Sequence, residues 1–137
     1  MRRPLVALPL VLAALASGCA GGASSSSDFE GEEKKVADVV ERLQTAGETG
    51  DARAICEEVL ATSLSDQIKD AGSTCEQELE KAITDADDFE LDVEDVTIQG
   101  GKATVKVKGR EGGAEKVRTF EFEREGSSWR ATSLGAG

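Results

Sequence analysis

Apolar positions change their spacing twice along this chain. They first run together from Leu5 to Ala16 behind Arg2 and Arg3, the charged start and apolar stretch of an export signal. A bilayer-spanning helix takes roughly 20 apolar residues, so this run is too short to span. A helical period follows, in which Val36, Val39, Val40 and Leu43 recur with charges between them. The segment Gly47-Glu-Thr-Gly50 breaks that helix. Asp51 then caps a second one, whose inner face is Ala52, Ile55, Val59 and Leu60. A short amphipathic piece around Leu64 and Ile68 stops near Gly72. Ser73 with Glu76 reads as a capping box, opening a helix with Cys75, Leu79 and Ile83 on one side.

From Phe89 the period drops to two. A two-residue turn at Gly100-Gly101 pairs Ile98 with Ala103 and Val96 with Val105. A loop at Gly112-Gly113 pairs Val105 with Phe120 and Ala103 with Phe122, and a turn at Gly126-Ser127 pairs Phe122 with Ala131 and Arg124 with Trp129. One apolar face survives all three connections, and a one-residue slip at any turn would send one strand's apolar set outward. The opposite face carries Lys102, Lys106 and Lys108 beside Glu121 and Glu123, a solvated face of complementary charge. Phe89, Leu91 and Val93 fall in the other phase, which predicts a bulge near Glu94-Asp95. Helices followed by an antiparallel four-strand meander define an α+β domain of two layers.

Small residues and a cysteine close the export signal. Leu15-Ala-Ser-Gly-Cys19 resembles the bacterial lipobox, although Ala16 stands where that pattern usually has Leu. The resemblance implies that Cys19 becomes the lipidated N-terminus, and two acyl chains give stable anchoring. The alternative is ordinary cleavage after Ala14-Leu15-Ala16, which would release a secreted protein. The chain then divides into a signal (1–18), a lipidated cysteine with a Gly/Ser linker (19–31), an α+β domain (32–134) and a short tail (135–137). About nine linker residues reach roughly 15–18 Å.

The net charge is −11. Loss of Arg2 and Arg3 with the signal leaves 14 basic against 27 acidic side chains, a balance of −13. Nucleic-acid phosphates repel such a surface, so no nucleic-acid partner is expected, and anionic lipid head groups repel it too. With Cys19 assigned to the anchor, Cys56 and Cys75 remain, and an oxidising compartment favours a bridge between them.

The Gly50-Asp51-Ala52 helix start, the Cys…Cys pair and the ending Phe120-Glu-Phe-Glu-Arg-Glu-Gly-Ser-Ser-Trp129-Arg resemble small actinobacterial lipoproteins. Those belong to the nuclear-transport-factor-2-like (NTF2-like) type, which shares its cone-shaped fold with SnoaL-like proteins and ketosteroid isomerase. The resemblance implies a sheet wrapped around helices, with Trp129 capping the core. A cystatin-like sheet is the alternative architecture.

Chemistry is sparse. The chain has no histidine and no tyrosine, which excludes a Ser/His/Asp triad, a Cys/His dyad and a phenolic oxyanion donor. Gly109-Arg-Glu-Gly-Gly113 lacks the Lys-Ser/Thr of a phosphate loop. Asp85, Asp87, Asp88, Glu90, Asp92, Glu94 and Asp95 form the densest acid cluster. A calcium loop starting at Asp85 would need Gly and Glu where the chain has Glu90 and Val96; the interleaved Leu91 and Val93 suit a solvated strand edge. No catalytic residue, metal or cofactor is therefore expected.

The expected function is that of an envelope lipoprotein, anchored to the outer face of the plasma membrane. Its domain would bind a small apolar ligand or an envelope protein. Phe120, Phe122, Trp129 and Arg124 are the pocket candidates, Arg124 and Trp129 as a cation–π pair. The alternatives are a degenerate SnoaL-like enzyme, with Asp38 or Glu57 raised in pKa inside a pocket, and a Ca²⁺-responsive adhesion or scaffold module.

Overall fold

A computed structural model describes residues 26–86 and 88–135. The export signal, Cys19 and the first part of the linker lie outside the described residues, as does Asp87. The end of the linker packs onto the domain. Ser26–Asp28 forms a 3₁₀ turn, and the buried Ser26 donates its N–H to Glu41 Oε1 at 2.6 Å.

Helix α1, Gly31–Thr49, buries Val36, Ala37, Val39, Val40 and Leu43 along one stripe. It runs through Gly47 rather than breaking there, and ends at Gly50. Gly50 adopts φ 73°, with its N–H to Gly47 O and the Asp51 N–H to Ala46 O at 2.8 Å. These are the two bonds of a Schellman ending. Gly47 serves a different purpose: the Phe89 ring lies flat against it, and a Cβ there would overlap Cγ, Cδ1 and Cε1 of that ring.

Asp51 caps α2, Ala52–Ala54, by accepting the Ala54 N–H at 3.0 Å. The helix then widens into a π turn, Ile55–Val59, closed by the Leu60 N–H to Ile55 O at 3.0 Å. Leu60 and Ala61 leave it extended and dock on the sheet edge, where Ala61 N–H reaches Ala131 O at 2.8 Å.

Helix α3 is Thr62–Asp70 and helix α4 is Cys75–Asp85. The cap of α4 is Thr74, which accepts the Gln77 N–H at 3.3 Å, not Ser73. Ser73 is already engaged in closing α3: its N–H meets Ile68 O while Gly72, at φ 89°, gives its N–H to Lys69 O. The cap therefore moves on by one residue.

Strands β1 (Asp92–Gln99), β2 (Lys102–Glu111), β3 (Ala114–Glu125) and β4 (Ser128–Ser133) form one antiparallel sheet in that order. All six cross-strand pairs expected from the turns occur, among them Val96 with Val105, Val105 with Phe120, and Arg124 with Trp129. The bulge falls between Val93 and Asp95, as the change of phase requires. A second shift between Glu121 and Phe122 has no forewarning in the pattern. Phe89 to Leu91 approach β1 without joining the ladder; Leu91 donates its N–H to the Gln44 side chain at 3.0 Å instead.

The fold is thus α+β, with α1 laid across the inner face of the meander. Val105, Phe120, Phe122, Trp129 and Ala131 of the sheet meet Val36, Val40, Ile55 and Val59 of the helical layer in one core. The outer face of the sheet is exposed and charged, with Lys102 directly opposite Glu123.

Candidate functional site

Helix α4 does not close onto the sheet. Its apolar stripe of Cys75, Leu79 and Ile83 faces inward, yet no residue of this helix is fully buried, whereas Val36 and Val40 of α1 are almost completely so. The helix packs instead against α2, the π turn and α3. A disulfide between Cys56 and Cys75, with Cα atoms 6.0 Å apart, ties its first residue to the π turn. The expected bridge is therefore present, and it anchors only one end of the helix.

The space left beneath α4 is a cavity of about 380 Å³. Leu43, Ile55, Val107 and Phe120 form its buried floor. Leu79, Ile83, Phe89, Leu91 and Leu134, all half-buried, form its walls. Volume and lining fall in the ordinary range for small-molecule sites.

Charges sit at the mouth in two separate groups. Asp85 and Asp88 line one lip, at the end of α4 and the connection after it, while the Glu90 carbonyl lies against Gly109 of the β2–β3 hairpin. Arg110, Glu111, Lys116 and Arg118 line the other, on the β2–β3 hairpin. Register explains that second lip. Lys116 and Arg118 share the inward phase of Phe120, opposite Gly109 and Val107, on the part of the hairpin that extends past β4 and, from Gly109 on, past β1. Arg118 donates to Glu111, and Lys116 lies 3.3 Å from the same carboxylate, so two cations share one anion. Those partners, Arg118 first, hold the Glu111 carboxyl below its usual range.

Of the four pocket candidates, Phe120 lines this cavity and Phe122, Arg124 and Trp129 do not. Those three sit toward the opposite end of the sheet. Trp129 is buried and Arg124 stacks over it, 5.1 Å from the ring centroid, which is the expected cation–π pair. Glu32 completes the group. It accepts from Lys35 at 2.6 Å, from Trp129 Nε1 at 2.8 Å and from Arg124. The Lys35 and Trp129 bonds, with Arg124 behind them, draw its pKa down to about 2 against the opposing effect of desolvation. This arrangement ties the first turn of α1 to the last hairpin.

Trp129 also borders a shallower groove of about 260 Å³ with Asp38, Arg42 and Glu58. Burial pushes the Asp38 carboxyl up, but hydrogen bonds from Lys34 and Ser26 outweigh it and leave the pKa lowered. Glu57 pairs with Arg53 at 2.8 Å and lines neither space. Asp38 is therefore not the raised carboxyl that a general base requires, and Glu57 faces no cavity. Among the described residues, no cluster of acids, cysteines or histidines is placed to hold a metal ion, and no helix is long and apolar enough to cross a membrane.

Sequence reasoning missed three parts of the site: the stand-off of α4, the Gly47–Phe89 contact and Glu32. Only the half-apolar stripe of α4 signals the first, and nothing local signals the other two.

No protein-family model matches the chain, and no curated protein matches it significantly. Among solved structures it is similar to a de novo designed NTF2 fold protein, NT-9, at 14% identity and a TM-score of 0.43. That alignment covers 80% of this chain and 85% of the designed one. A likeness at this level says nothing about function.

Proposed function

We propose that the chain is a non-catalytic binding protein of the NTF2-like type, tethered through Cys19 at the outer face of the plasma membrane, whose cavity takes a small apolar ligand. The observation that carries this reading is the half-buried stripe of α4. Leu79 and Ile83 lie at the edge of the core, half-buried, and line one cavity with Val107 and Phe120. Completing their burial would gain roughly 1 kcal/mol for each, about half of what a fully exposed large apolar side chain gains. A ligand supplies the same burial.

The tether is supported by the export signal and the lipobox-like Cys19, and the strong negative charge keeps the domain clear of an anionic surface. The NTF2-like assignment rests on the closing Trp129-Arg hairpin together with the helix-on-sheet layout.

Titration calorimetry with n-decanol tests the binding reading. Decanol should bind the intact protein and should fail to bind the double variant Leu79→Trp/Ile83→Trp, in which two indoles fill the cavity. Val117→Trp, on the exposed outer face, should bind as the intact protein does. Equal binding by all three would sink the assignment to this cavity.

A further inference from the structure

The cavity has one apolar interior and two lips of opposite sign, and that division selects among apolar ligands. We propose that its ligand is an amphiphile with a dipolar head group, the anionic part seated on Lys116 and Arg118 and the cationic part facing Asp85 and Asp88. The inference rests on the cavity being the ligand site and adds the chemistry of the head.

The cationic lip is the more defined of the two. Lys116 and Arg118 project from β3 in the same phase as Phe120, which lies on the floor, so the sheet itself aims them over the apolar space. They share the single carboxylate of Glu111, which leaves one positive charge uncompensated within that trio. Arg110, also at the mouth, adds another. An anionic group entering between Lys116 and Arg118 gains charge-assisted hydrogen bonds without stripping either cation of a private partner.

The facing lip has the opposite sign. Asp85 is the last residue of α4, where the helix dipole adds partial negative charge, and Asp88 stands exposed beyond it. A head group with only an anion would bring its charge toward these acids, and one with only a cation would face Lys116 and Arg118. A head that carries both matches both lips, and a single acyl-type tail suits a cavity of about 380 Å³.

Calorimetry with four probes of one tail length provides the test: n-decanol, decanoate, decyltrimethylammonium and decylphosphocholine. The phosphocholine should bind about tenfold more tightly than decanol, the scale of one charge-assisted contact, and more tightly than either singly charged probe. Lys116→Glu and Asp85→Lys should each remove that advantage, so that either variant binds the phosphocholine no more tightly than decanol. Decanol binding with no preference for the phosphocholine would overturn the head-group inference alone. Failure of all four probes to bind would overturn the cavity reading and the inference with it. A preference for decanoate over the phosphocholine would also refute the dipolar head.

Discussion

Gly47 offers the sharpest test of how the cavity wall is held. It lies inside α1, where replacing Gly by Ala ordinarily stabilises a helix by about 1 kcal/mol. Here the Cβ of Gly47→Ala would overlap three atoms of the Phe89 ring, including Cγ next to the backbone. Rotation of the ring cannot clear Cγ, so the whole side chain must move, and overpacking of this kind costs about 1–3 kcal/mol. Set against the propensity gain, the steric cost leaves an expected net loss of up to about 2 kcal/mol. In a Phe89→Ala background the obstacle is gone, and the same substitution should stabilise by up to about 1 kcal/mol. The sign therefore inverts, with a coupling of about 1–3 kcal/mol between the two sites. Urea denaturation followed by the fluorescence of Trp129, the one tryptophan of the chain, measures all four members of the cycle. Stabilisation by Gly47→Ala in the presence of Phe89, or an equal loss in both backgrounds, would refute the reasoning.

Three further outcomes follow from the geometry. Replacing Cys56 and Cys75 together by Ser should cost about 3 kcal/mol in the chain-entropy account of a loop this long, read as a lower urea midpoint; an unchanged midpoint would contradict a bridge in the native protein. Glu32 has a folded pKa of about 2 against an ordinary carboxyl value of 4.5, so its contribution is complete above about 4.5 and is lost as pH falls through about 2. Glu32→Gln should remove that share of the acid dependence, and an acid titration of stability identical to wild type would dismiss the tie to Trp129 and Arg124. Asp51→Ala leaves the Ala54 N–H without its cap and should destabilise by about 1 kcal/mol in thermal melts, while Ser73→Ala, outside the cap of α4, should change stability by less than Thr74→Ala.

The sheet is legible in the sequence because each register is constrained from two sides. Val105 must face inward against both Val96 and Phe120, and only one loop length at each turn permits that. The same parity argument places the bulge at Glu94, since Val93 and Val96 can share a face only if one residue is extra. The N-terminal helices are less legible at their ends. Ser73 and Thr74 are both good caps, and the choice between them depends on which N–H the ending of α3 has taken. The cavity is hardest to read. Its existence depends on how far α4, which follows α3 and is tied to the π turn by the Cys56–Cys75 bridge, stands from the sheet, and only the half-apolar stripe of α4 hints at that. Phe120 is the one pocket candidate found by pattern that lines the cavity. Phe122, Arg124 and Trp129 have the right chemistry but lie on the far side of the register shift, at the end of the sheet already covered by α1. Contacts such as Gly47 with Phe89, or Glu32 with Trp129, join residues far apart in the chain and leave no local trace.

Native mass spectrometry of the protein extracted from its own membranes bears most directly on the central claim, that the cavity beneath α4 holds a small amphiphile. The account predicts a chain beginning at an acylated Cys19 and accompanied by one small molecule that collisional activation releases. The Leu79→Trp/Ile83→Trp variant from the same membranes should carry the acyl groups without that molecule. Intact and filled proteins that retain the same mass of bound material would contradict the claim.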